Sequence, residues 1–130
     1  MAIKVSGTPV IDNSRNFINI EDTTGFYRIF HPDYTSQASS GSITINANVP
    51  CLGLTLSGAL TISDMTNKAT GKQVVLLTDV SSSGYDITWG SNFEFVNDAE
   101  PDWTTARYWT IGLTVWNSSV ILVTATSYSG

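Results

Sequence analysis

The chain has 130 residues, a net charge of −5 and only 13% charged side chains. Its single cysteine, Cys51, excludes an intramolecular disulfide framework, and six Lys and Arg cannot neutralise enough phosphates for nucleic-acid binding. No apolar run approaches the ~20 residues of a membrane-spanning helix, and the opening MAIKVSGTPV lacks the apolar core of a secretory signal, so no membrane insertion is expected.

The polar residues are of an uncommon kind. Ser and Thr make up 33 of the 130 residues, a composition suited to strands and turns. It also suits proteins that pack against copies of themselves, where long charged side chains would intrude. The length predicts one domain with a short arm.

Residues 1–41 read as that arm. Short apolar stretches are separated by GTP, DNS, HPD and SQASSG, with one or two short strands and a Ser-rich linker near 36–42. Val5, Val10, Ile11, Phe17, Ile18 and Ile20 make it too apolar to remain free in water. It is expected to lie on its own domain or on a partner.

Residues 42–130 alternate apolar and polar with period two. GSITINANV places Ile43, Ile45, Ala47 and Val49 on one face. CLGLTLSGALTIS continues with Leu52, Leu54 and Leu56, and a break at Ser57-Gly58 leads to Leu60 and Ile62, where a bulge or tight turn is expected. The unbroken run Val74 to Leu77 predicts a strand buried on both faces. A strand around Tyr85–Trp89, a Gly-Ser-Asn turn, a short strand Phe93–Val96 and the polar loop NDAEPDWTT follow. Short strands with regular turn signals predict an all-β fold: an antiparallel, jelly-roll-like β-sandwich.

The last hairpin has a sharper expectation. A two-residue turn at Asn117-Ser118 pairs residues whose numbers sum to 235. Trp109, Ile111, Leu113 and Val115 then face the core, opposite Thr126, Thr124, Leu122 and Val120. Tyr108, Trp116, Ile121 and Val123 fall on the opposite, partly apolar face, a candidate receiver for the arm or a neighbouring subunit.

Chemistry-bearing residues are sparse. His31, the only histidine, and Cys51 are the sole candidates for a nucleophile–base pair, and a zinc site needs more nitrogen and sulfur ligands than these. Asp98, Glu100 and Asp102 alternate near Glu94, a spacing open to calcium or to glycosidic hydrolysis but without the EF-hand pattern. They are expected to form a solvated loop. Trp89 and Trp103 stand beside carboxylates, which offers a pyranose-stacking platform, with core packing as the plainer reading. No cofactor is expected.

Two stretches carry a resemblance. Val5 to Asn16, a Val-x-Gly-Thr-x-Val-Ile-Asp-x-Ser-Arg-Asn run, resembles the N-terminal segments of small virion structural and tail-fibre-like proteins of tailed phages, especially those of marine cyanobacteria. GKQVVLLTDVSSSGYDITWGSNFEF through YWTIGLTVWNSSVILVTATSYSG is similar to a compact β-sandwich module of phage fibre and decoration proteins. The resemblance implies a non-catalytic virion component, made in the host cytoplasm and located on the head or tail. It implies other virion proteins as partners and homo-oligomers, with trimers favoured. On that view Val5, Val10, Ile11, Phe17, Ile18, Tyr108, Trp116, Ile121 and Val123 are assembly contacts. The rival expectation is a carbohydrate-binding or host-receptor-binding module using Trp89 and Trp103.

Overall fold

A computed structural model describes the backbone of residues 3–5, 8–11 and 34–37 and, in full, residues 40–128. The chain divides into two units, Met1–His31 and Pro32–Gly130. In the first, β1 (Ile3–Val5) and β2 (Thr8–Ile11) form an antiparallel hairpin that pairs Val5 with Thr8 and Ile3 with Ile11. Val5, Val10 and Ile11 therefore sit in strands. Phe17, Ile18, Ile20 and His31 lie outside the described residues.

The second unit is all-β, and its chain passes back and forth between two sheets. Strands β3 (Tyr34–Gln37), β5 (Cys51–Thr55) and β7 (Gln73–Asp79) pair in parallel in one sheet. Strands β4 (Gly41–Asn46), β6 (Leu60–Thr66) and β8 (Ile87–Trp89) pair in parallel in the other. Parallel neighbours need a long crossover, and here each crossover is a strand of the opposite sheet. The result is a short coil of the β-solenoid kind. Strand β10 (Tyr108–Val115) then closes antiparallel on β7, β11 (Ile121–Tyr128) folds back on β10, and β9 (Phe93–Phe95) completes the edge beside β11.

This corrects the antiparallel jelly-roll expectation. Alternation reports which face of a strand is buried but not which strand lies next to it. A bend that carries the chain to the other sheet uses the same Gly and Ser residues as a hairpin. Strand β3 also recruits the expected linker, because Ser36 and Gln37 pair with Gly53 and Leu54.

The two sheets share one core. Ile45 and Ala47, Leu52 and Leu54, Leu60 and Ile62, Val74 and Leu76, and Ile111 and Leu113 all belong to a single buried cluster. A bulge that the sequence did not signal lies in β6. Ile43 pairs with Ile62 whereas Thr44 pairs with Asp64, so Ser63 is the extra residue, and the buried side switches from Leu60 and Ile62 to Met65. Ser57-Gly58 is the bend between β5 and β6. Beside the bulge, Gly90 donates its N–H to Ile62 O at 2.8 Å. A Cβ at Gly90 would come within 2.0 Å of Ser63 O, so only glycine permits that approach.

Two further expectations are corrected at the terminal sheet. Strand β7 is not buried on both faces: Val74, Leu76 and Thr78 point inward, while Val75 is 38% and Leu77 45% exposed. The β10–β11 register sums to 236, pairing Val115 with Ile121, Leu113 with Val123 and Tyr108 with Tyr128. Asn117 Oδ1 accepts the N–H groups of Ser119 and Val120 at 2.8 and 2.9 Å, so a side-chain acceptor lengthens the loop beyond two residues. The one-residue shift exchanges every side chain of β11 between faces. Ile121 and Val123 are therefore core residues, 0% and 1% exposed, and not assembly contacts.

Candidate assembly face and cross-strand groove

With the register settled, the outward residues of the large sheet fall into four rows across the strands. The first row is Thr55, Asp79, Tyr108 and Tyr128; the second is Gly53, Leu77, Thr110 and Thr126. The third is Cys51, Val75, Gly112 and Thr124, and the fourth is Gln73, Thr114, Leu122 and, on the β9 edge, Glu94. Trp116, 63% exposed, stands just beyond the fourth row. Among these described positions Asp79 and Glu94 are the only charged residues, and Asp79 is paired: Arg107 Nε and Nη2 each donate to its carboxylate at 3.1 Å. That bidentate pair with Arg107, helped by the Ser81 N–H, holds the Asp79 carboxyl below the usual carboxylate range. A Thr-rich, apolar-studded face on a chain of net charge −5, with charge confined to the paired Asp79 and to Glu94 at the β9 edge, is the main surface feature of the described residues.

At one end of this face the two Tyr rings stack, 6.2 Å apart and 24° from parallel. The Arg107 guanidinium lies 4.9 Å from the Tyr108 centroid. A groove of about 270 Å³ runs between the first and second rows, lined by Gly53, Thr55, Leu77, Thr110, Thr126 and Tyr128 with their row neighbours. Tyr108 and Trp116 are thus both outward, as expected, but at opposite ends of β10.

The Trp89–Trp103 platform is corrected. The structure does bring the rings together, 5.7 Å apart, but Trp103 is 1% exposed and sits in an aromatic cluster with Phe95 and Trp109. Its Nε1–H donates to Glu100 Oε1 at 3.0 Å, and its carbonyl accepts from Trp109 Nε1 at 3.1 Å. A ring used this way has no free face for a sugar. Trp89 is half-buried against Phe93 and Phe95, and its Nε1–H has no partner among the described residues. Beside them Asp86, Thr88, Glu100 and Asp102 border an open depression of about 500 Å³.

The acidic loop has structural work instead. Glu100 holds Trp103, while Asp102 caps the 3-10 turn Trp103–Thr105 by accepting from Thr104 N at 3.0 Å and Thr104 Oγ1 at 2.6 Å. Those Thr104 bonds lower the Asp102 pKa. Among the described residues no three His, Cys, Asp or Glu side chains gather to hold a metal ion. Cys51 is half-buried on the outer face.

Sequence reasoning missed Val75, Leu77 and Tyr128 as surface residues, and Asp79–Arg107 as a pair. Only Tyr128 left a signal: an Asx-lengthened turn at Asn117 would have placed it opposite Tyr108. No family model, no curated protein and no solved structure matches this chain.

Proposed function

We propose that the chain is a non-catalytic structural component of a phage virion, a capsid decoration or knob or a tail-fibre appendage. It self-associates through the outward face of its large sheet. The observation that carries this reading is the face itself: Val75, Leu77, Leu122 and Trp116 exposed or half-exposed among threonines, with charge confined to the paired Asp79 and to Glu94 at the β9 edge. Interface cores are depleted of charge and rich in aromatic residues, and patches of this kind mark contact sites. A second copy is the occupant because copies of an acidic chain repel one another least across a surface this poor in charge. The arm, with Val5, Val10 and Ile11, adds apolar area to the same assembly.

Asp64, Asp79 and Asp102 have structural partners: Lys68, Arg107 and Thr104 respectively lower their pKa values, the opposite of the raised pKa that a general acid needs. Two measurements test the proposal. Light scattering on the full chain should give an oligomer that Val75→Lys with Trp116→Lys converts to monomer. Mass spectrometry of purified particles should find the chain at fixed stoichiometry. A monomeric wild-type protein, or its absence from particles, overturns the reading.

A further inference from the structure

We infer that the groove at the Tyr108–Tyr128 end of the sheet is a saccharide-binding site that takes a short neutral glycan laid across the strands. The register carries the argument. The groove runs perpendicular to β5, β7, β10 and β11, between the row Thr55, Asp79, Tyr108, Tyr128 and the row Gly53, Leu77, Thr110, Thr126. Neighbouring strands lie ~4.8 Å apart, close to the length of one hexose in an extended glycan, so successive sugar rings meet successive strands in register.

Each wall supplies what a sugar needs. A hexose presents an apolar C–H face and a rim of hydroxyls. For the C–H face there are the Tyr rings, Tyr128 being 70% exposed, and the Leu77 side chain, 45% exposed. For the hydroxyl rim there are the exposed hydroxyls of Thr55, Thr110 and Thr126 and the Asp79 carboxylate, which Arg107 fixes in place. Gly53 puts no side chain into the second row, which leaves the floor open. A volume of about 270 Å³ falls at the small end of the ~300–1,000 Å³ range of ligand pockets, which suits one or two sugar units. The fixed Asp79–Arg107 pair leaves no net charge for an anionic sugar to answer.

Tyr128 contributes little to the core, and its ring is held against Tyr108 over an otherwise open trough. Trp116 lies at the far end of β10, eight residues and ~27 Å from Tyr108 at strand rise. The site rests on the groove of the single chain, and Leu77 is the residue it shares with the proposed assembly face.

The test is amide chemical-shift mapping on the full chain, titrated separately with cellobiose, maltose, lactose and N,N′-diacetylchitobiose at millimolar concentrations. At least one should shift Thr110, Thr126 and Tyr128 with saturation. Tyr128→Ala, an exposed substitution, should weaken that binding about tenfold, as expected for loss of a stacking ring, and Thr126→Val should weaken it while the remaining spectrum stays unchanged. Failure of all four sugars to shift these residues overturns the inference. So does binding that Tyr128→Ala leaves intact, or shifts centred on Trp89. The oligomeric state, followed in the same samples, separates failure here from failure of the assembly reading.

Discussion

Tyr108 and Tyr128 stand directly opposite each other across the last hairpin, with rings 6.2 Å apart. That pairing exists because Asn117 lengthens the connecting loop through its side chain. One residue fewer would set Tyr108 opposite Ser127, break the stack, and turn Ile121 and Val123 out of the core. Asn117→Ala removes the acceptor for two N–H groups and should cost about 1 kcal/mol. Denaturant titration would report that loss, with Tyr108–Tyr128 contacts weakened in nuclear Overhauser spectra.

Trp103 and Trp109 form one buried unit, 4.9 Å apart at 66°. Either change to Ala should cost ~3–5 kcal/mol, a large part of the ~5–15 kcal/mol of a typical domain. Trp116→Ala, at the surface, should change the folding stability of a dilute monomer by less than ~0.5 kcal/mol. Equal losses at Trp116 and Trp103 in urea titrations would contradict the burial pattern.

Thr78 is a buried polar residue whose Oγ1 has no hydrogen-bond partner among the described residues. Thr78→Val replaces that hydroxyl with a methyl group of similar shape. It removes the burial cost of an unpaired group and should raise stability by about 1 kcal/mol. A clear fall in melting temperature would show that the hydroxyl is satisfied in solution.

Asp64, Asp79 and Asp102 share a direction. Lys68, Arg107 and Thr104, respectively, depress their folded pKa values below the ordinary 3.8. A depressed folded pKa contributes stability that is fully present above the unfolded value and is lost as pH falls through the folded value. Stability should therefore be level from neutral pH to about pH 5 and decline below about pH 4. In Asp79→Asn that acid decline should be shallower, and melting curves against pH would show it. A chelator added at neutral pH should leave the melting temperature unchanged, since Glu100 and Asp102 are engaged with Trp103 and Thr104.

Deleting residues 1–20 should leave Pro32–Gly130 folded, because that unit holds the whole described core. It should weaken self-association. A truncated chain whose light-scattering mass equals that of the full chain would remove the arm from the assembly.

The residues that alternate in sequence already determined an all-β chain, the inward faces of β4, β5 and β10, and the burial of Trp109. Side-chain period two is local, set by the pleat of a single strand. Tertiary structure alone decided what each strand lies beside. The parallel pairing of β3, β5 and β7 depends on where the chain crosses between sheets, and Ser57-Gly58 bends equally well into a hairpin or into the next sheet. Val75 and Leu77 are open because, among the described residues, no layer covers the outer face of β7, a matter of sheet count that a run of four apolar residues cannot express. Trp103 is buried because Glu100 takes its N–H and Trp109 packs on its ring, contacts that a polar loop sequence conceals. The outward rows depend on a single residue of register, and a side-chain hydrogen bond at Asn117 set it.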